Sequence, residues 1–164
     1  MIYVIQTETG AEMLIRAKLL RESISAYVPR RSLIIHKSAG WTKIINVMFP
    51  GYVFLDIDYN AETYHKIKPV DGVIKFLGKP SPVPISADEE EFMRLLFNDG
   101  EIIPESKADV GRDGNITVTE GWLLGKEKYV TYWNIRQKKA AVIVCFGGKR
   151  HRANVGVEYT NTRV

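Results

Sequence analysis

Val47-Met48-Phe49-Pro50-Gly51-Tyr52-Val53-Phe54-Leu55-Asp56-Ile57-Asp58 reads as a tight turn feeding a buried strand. Pro50 has no backbone N–H and Gly51 tolerates positive φ, so the pair punctuates the chain. From Tyr52 the residues are almost continuously apolar rather than alternating, the pattern of a strand at the centre of a sheet with both faces covered. Working outward, Trp41 to Phe49 runs back along Ala26 to Lys37 through the turn Ser38-Ala39-Gly40, an extended hairpin. Tyr3 to Gln6 is a first strand. A helix over about residues 10–23 follows, opened by a capping box at Thr9 and Glu12, with Met13, Ala17, Leu20 and Ile24 as its apolar stripe, widened by Leu14 and Leu19. Ala61 to Lys68 is a short helix stopped by Pro69, and Gly72 to Leu77 is another strand. A second capping box, Ser86 to Glu89, opens a helix through Phe92, Met93, Leu95 and Leu96. This order predicts an α+β domain, an antiparallel sheet with packed helices.

Beyond that region the signals change. Residues 98–108 carry charges, a proline and turn residues with little periodicity, and read as a linker. Only strand signals follow, at Ile116 to Thr119, Lys128 to Trp133, Lys139 to Phe146 and Asn154 to Tyr159, which predicts a small all-β barrel. The expected domains are therefore 1–97 and 109–164.

Charge separates the same two regions. The 164-residue chain carries a net charge of +4. Residues 1–106 hold 12 basic and 14 acidic side chains, and residues 107–164 hold 11 and 5. The basic excess sits in the β-rich part, the better candidate for a polyanionic partner. Enzymatic chemistry finds no foothold. There is no Gly-x-Ser-x-Gly, no phosphate loop, and the histidines at 36, 65 and 151 have no partners at metal-ligand spacing. Asp88-Glu89-Glu90-Glu91 fits the first turn of a helix, where carboxylates complement the helix dipole, better than a metal cluster. No catalytic residue, cofactor or metal is expected. The single cysteine, Cys145, excludes an internal disulfide and reads as a core strand residue. No signal peptide or membrane span is legible, so a soluble, cytoplasmic, monomeric protein is expected.

Several of these segments together resemble one family. Phe49-Pro50-Gly51-Tyr52 ahead of a buried strand is similar to the N-terminal (NGN) domain of NusG-type transcription elongation factors. Tyr3-Val4-Ile5-Gln6, Gly10 with Glu12, Val28-Pro29, Gly72-Val73-Ile74-Lys75-Phe76-Leu77-Gly78 and Pro84-Ile85-Ser86 with Glu89 resemble, in order, the family's opening strand, its first helix, the strand after that helix, a later glycine-flanked strand and the start of its last helix. Gly111 to Gly125 and Phe146-Gly147-Gly148 resemble its C-terminal KOW domain, an SH3-like barrel. The resemblance implies a factor that docks on the clamp helices of bacterial RNA polymerase and reaches its gate loop, disfavouring pausing.

By motif position the polymerase-binding residues are Phe49, Pro50, Gly51 and Tyr52, presenting an exposed aromatic surface, so that Phe49→Ala is expected to leave the fold intact. Thr63, Tyr64, His65 and Lys66 fall at the family's gate-loop contact. Arg16, Lys18 and Arg21 on the first helix, with Arg30 and Arg31, could meet phosphates of upstream or non-template DNA. In the KOW part, Lys126, Lys128, Lys149, Arg150, His151 and Arg152 could form a basic rim for a nascent RNA hairpin, with Trp122, Tyr132 or Trp133 stacking a base. Lys128 stands where relatives commonly carry a glycine. This departure argues against an inherited local turn and against inherited ribosome or Rho binding, while the basic KOW half and the short chain starting directly at the first strand make the chain resemble the specialised LoaP paralogs, antitermination factors whose KOW domain recognises leader RNA. Two alternatives stand beside that reading: a general NusG coupling polymerase to Rho or the ribosome, and an RNA-binding, ribosome-associated KOW protein.

Overall fold

The computed structural model describes residues 1–162. Along the chain run β1 (Ile2–Thr7), α1 (Glu12–Arg21), β2 (Ala26–Tyr27), β3 (Arg30–Lys37), β4 (Gly40–Val47), β5 (Tyr52–Asp56), α2 (Ala61–Ile67), β6 (Val73–Phe76) and α3 (Ala87–Phe97). Then follow β7 (Ser106–Val110), β8 (Ile116–Glu120), β9 (Val130–Asn134), β10 (Lys139–Phe146) and β11 (Lys149–Thr160). An N-terminal α+β part is thus followed by a β-rich C-terminal part. The chain forms two compact units: Met1–Pro29 with Phe49–Gly100 and Cys145–His151, and Arg30–Met48 with Glu101–Val144 and Arg152–Val164.

In the first unit a four-stranded sheet has the order β2-β5-β1-β6. Each neighbouring pair is antiparallel, with Val4 opposite Phe54 and Ile5 opposite Val53. Val53, Phe54 and Leu55 are fully buried, as the unbroken apolar run of β5 requires. The helices bury Ile15 and Leu19 of α1, Ile67 of α2, and Phe92, Met93, Leu96 and Phe97 of α3. Tyr27 stacks on Phe97 with ring centres 4.3 Å apart.

Helix boundaries follow the sequence reading closely; the caps and one helix face do not. The expected box at Thr9 is absent, because Ala11 is the N-cap of α1 and no side chain caps it. Glu12 instead turns inward, 3% exposed, and accepts from Gly10 N–H at 2.7 Å and Gly51 N–H at 2.8 Å. Because Glu12 faces inward, the buried face of α1 runs through Glu12, Ile15 and Leu19, while Leu14 and Leu20 of the expected stripe are exposed. Ser86 makes no side-chain cap either, and the Glu89 carboxylate accepts the backbone N–H of Cys145 at 3.2 Å. Cys145 is half-buried. The capping box that does form, Asn60 with Thr63 at α2, escaped the pattern search because Thr replaces the usual Glu or Gln.

In the second unit β3 and β4 form a hairpin, Arg30 opposite Val47 through Lys37 opposite Gly40. A five-stranded sheet has the order β8-β7-β11-β10-β9. Its β7 pairs with β11 in parallel. Ser106 to Ala108, read from sequence as connector, thus begins a strand, and Ile103 before it is fully buried. Ile103 bonds on both sides to β3: its N–H donates to Arg30 O and its carbonyl accepts from Ser32 N–H, each at 2.8 Å. Those anchors are tertiary and leave no periodicity in the sequence. The core here is small-residue and β-branched: Ala108, Ala140, Ala141, Val142, Val144, Val155 and Val157. Among the described residues, no helix is long and apolar enough to cross a membrane.

Candidate functional site

The Phe49–Tyr52 turn of the first unit is held from three directions. Gly51 N–H donates to Glu12, Gly51 carbonyl accepts from Thr7 N–H at 2.8 Å, and Tyr52 N–H donates to Phe49 O at 3.3 Å. Gly51 has φ +85°, a conformation glycine adopts without strain. Pro50 is exposed at the turn.

Phe49 is not the exposed ring that the motif implied. It is 4% exposed, packed edge-to-face on Phe54 at 5.8 Å and on Phe146 at 5.5 Å. Tyr52 is half-buried, with Phe146 at 5.1 Å and His151 at 5.5 Å. The His151 ring stacks flat on Phe146, centroids 3.6 Å apart and planes 1° from parallel. Its Nε2 lies 3.2 Å from the Phe146 carbonyl, an acceptor, so this nitrogen carries the proton. Burial pulls the His151 pKa below its ordinary value, with Lys149 adding to the effect and the Phe146 carbonyl opposing it. The sequence reading missed Phe146 as a member of this cluster and gave His151 a different role. The only available signal was an aromatic and a histidine flanking Gly147-Gly148.

The second predicted set lies on α2. Thr63 is occupied by its cap: its N–H donates to Asn60 Oδ1 and its hydroxyl accepts from Asn60 N–H, both at 3.0 Å. Tyr64 is half-buried and stacks toward Phe76 at 6.1 Å. His65 is exposed, and Lys66 pairs with Glu62 at 3.4 Å. His65 and Lys66 therefore present the polar surface of this helix.

The basic residues divide by environment. In α1, Arg16 Nε donates to Ala26 O at 3.0 Å, Lys18 is half-buried and Arg21 is exposed. Arg31 of the second unit donates to Asn46 at 3.1 Å. Lys126 donates to Trp122 O at 2.8 Å and lies over the Trp122 ring at 4.9 Å. Trp122 is itself 8% exposed, so it offers little face for stacking a base. Lys128 sits over Tyr129, and Arg152 lies over Tyr132, which is 54% exposed. Tyr132 with Arg152 is thus a more open aromatic platform than Trp122. Lys149 and Arg150 are exposed, and none of Lys149, Arg150 and Arg152 pairs with a carboxylate among the described residues. Among the described residues no three His, Cys, Asp or Glu side chains are grouped as metal ligands would be.

The chain is similar to known proteins. A family profile described as "Transcription termination factor nusG" matches residues 2–94. The chain is 25% identical to the transcription termination/antitermination protein NusG of Helicobacter pylori over 174 aligned positions, covering 99% of this chain and 96% of that protein. Similarity to NusG of Haemophilus influenzae is 28% over 131 positions, covering 73% and 70%. A solved structure, "Domain interaction in Thermotoga maritima NusG", covers 94% of this chain and 92% of its own at TM-score 0.53 and 18% identity, a likeness of fold.

Proposed function

Because the chain belongs to the NusG family, whose members generally bind RNA polymerase and are not enzymes, we propose that this transcription factor is a LoaP-like antitermination factor. In this reading it binds polymerase clamp helices and gate loop through Pro50 and Tyr52, on the turn that buried Phe49 anchors, and through Thr63 to Lys66. Residues 1–97 form the NGN domain. Residues 109–164 form an SH3-like KOW barrel that engages a nascent RNA hairpin. Arg16, Lys18 and Arg21 would meet upstream or non-template DNA, and the factor would act as a cytoplasmic monomer.

The observation that carries the RNA reading is the Lys149-Arg150-His151-Arg152 segment. Lys149, Arg150 and Arg152 are exposed and lack carboxylate partners among the described residues. Unpaired cations are free to neutralise phosphates and release counterions. The test is binding of the full chain to the leader transcript of its own operon. Replacing Lys149, Arg150 and Arg152 together with Ala should weaken binding and flatten its salt dependence. Equal binding by the triple variant would remove the RNA assignment.

A second reading, a general NusG, is supported by its relatives' own description as termination/antitermination proteins. It predicts that the full chain captures Rho or a ribosomal protein and shows no preference for its leader RNA.

A further inference from the structure

In the first unit, β6 and the loop after it line an open groove of about 850 Å³. Val83, 53% exposed, and the half-buried Ile85 give it accessible apolar surface over a buried floor of Val4 and Phe76, and the half-buried rings of Tyr52 and His151 contribute aromatic edges. Lys75, Lys79 and Lys149 also line it; all three are exposed, and none pairs with a carboxylate among the described residues. Gln6 and Ser86 add an amide and a hydroxyl.

This combination matches a ligand that is flat, apolar on its faces, polar on its edges and repeatedly anionic. A nucleobase covers apolar and aromatic surface, an amide can read its edge, and lysines take the phosphates as point charges. Lys75 and Lys79 are four residues apart, so their Cα atoms are separated by no more than about 14 Å, a span that a short stretch of nucleic-acid backbone bridges. An acidic peptide would satisfy the lysines and could bond Gln6 through its backbone, but its carboxylates bring no flat ring to cover the apolar surface between them. Lys149 also begins the basic segment Lys149-Arg150-His151-Arg152 at the start of β11, so the positive lining continues into the segment assigned to RNA.

We propose that this groove binds single-stranded RNA, seating a base against Val83 and Ile85 with phosphates on Lys75, Lys79 and Lys149. The site rests on the RNA-facing role given above. Lys75 and Lys79 lie outside the residues that carry that role, so the two assignments fail separately.

The experiment is fluorescence anisotropy of the full chain with a labelled uridine dodecamer across a salt series. The double variant K75A/K79A should bind about tenfold more weakly, and its log K against log salt slope should fall by about 1.4, roughly 0.7 per lost phosphate contact. K75R/K79R, which keeps both charges, should bind like the parent and so excludes a folding defect. Unchanged affinity and slope for K75A/K79A alongside a defective K149A/R150A/R152A overturns the groove and leaves the basic segment of β11 standing. Parent-like binding by both variants overturns both. Crosslinks from 4-thiouridine in the same oligonucleotide should map to peptides containing Tyr52, Phe76 or Cys145; crosslinks confined to residues 122–133 overturn the site. Tighter, Lys75- and Lys79-dependent binding of a glutamate-rich peptide than of the dodecamer reassigns the groove to a protein and overturns the proposal.

Discussion

The Glu12 carboxylate accepts the backbone N–H of Gly51 at 2.8 Å across 39 residues of sequence, within a site where Glu12 is 3% exposed. The same carboxylate takes Gly10 N–H at 2.7 Å. One buried anion therefore ties the start of α1 to the turn that presents Phe49 and Tyr52. Hydrogen bonds to charged groups contribute about 1.5–3 kcal/mol each, and an unpaired buried donor costs a comparable amount. Glu12→Ala should thus lower unfolding stability by about 3 kcal/mol, with Glu12→Gln intermediate because its carbonyl still satisfies one donor. Urea denaturation measures this, and an Ala variant as stable as the parent would contradict the assignment.

Phe49 packs against Phe54 and Phe146 with 4% exposure. Phe49→Ala should therefore destabilise the first unit by about 3–5 kcal/mol, and lost activity in that variant would not identify a contact surface. Tyr52 is half-buried and better suited. Tyr52→Ala should remain folded and lose polymerase binding by about tenfold or more, the loss typical of an aromatic hot spot. A pull-down with circular dichroism on the same sample measures both, and intact binding by folded Tyr52→Ala removes it from the interface.

At Gly156 an added Cβ would lie 2.6 Å from Ser32 O and 3.1 Å from the Glu105 side chain. The oxygen belongs to Ser32, whose N–H donates to the Ile103 carbonyl, so it cannot yield cheaply. Gly156→Ala should cost about 2–3 kcal/mol, at the upper end of overpacking effects. Thermal unfolding reads the shift; an unchanged melting temperature would mean that β3 and β11 separate more easily than their contact implies.

Burial lowers the His151 pKa below its ordinary 6.5, so the folded state binds fewer protons there than the unfolded chain. Stability rises with pH wherever the unfolded state holds more protons. The His151 contribution is therefore complete above 6.5, declines as pH falls through 6.5, and levels off below the folded pKa. Urea midpoints taken from about pH 8 to pH 5 should show this decline, and His151→Phe, which keeps a ring over Phe146, should flatten it. An identical profile in the variant would place the titration elsewhere.

Periodicity and turn chemistry made much of the fold legible. The continuous apolar run of β5 and β10 at Lys139–Phe146 stand where composition placed them, whereas the expected hairpin forms over β3 and β4 alone, because Ala26–Tyr27 separates from it as β2 and pairs with β5. The inward face of α1 was misread because Glu12, a residue type that ordinarily faces solvent, anchors it and turns Leu14 and Leu20 outward. β7 was hidden because its parallel partner, β11, lies about fifty residues away and leaves no local alternation.

For the candidate site, the sequence by itself determined the Phe-Pro-Gly-Tyr turn, because proline and glycine restrict backbone angles locally wherever they occur. It also determined the basic segment after Gly147-Gly148, since charge is carried by residue type alone. Only the tertiary structure decided that Phe49 is buried, that Phe146 and His151 complete its cluster, and that Lys75, Lys79 and Lys149 line one groove. Those outcomes depend on contacts between residues far apart in the chain, which no local propensity encodes.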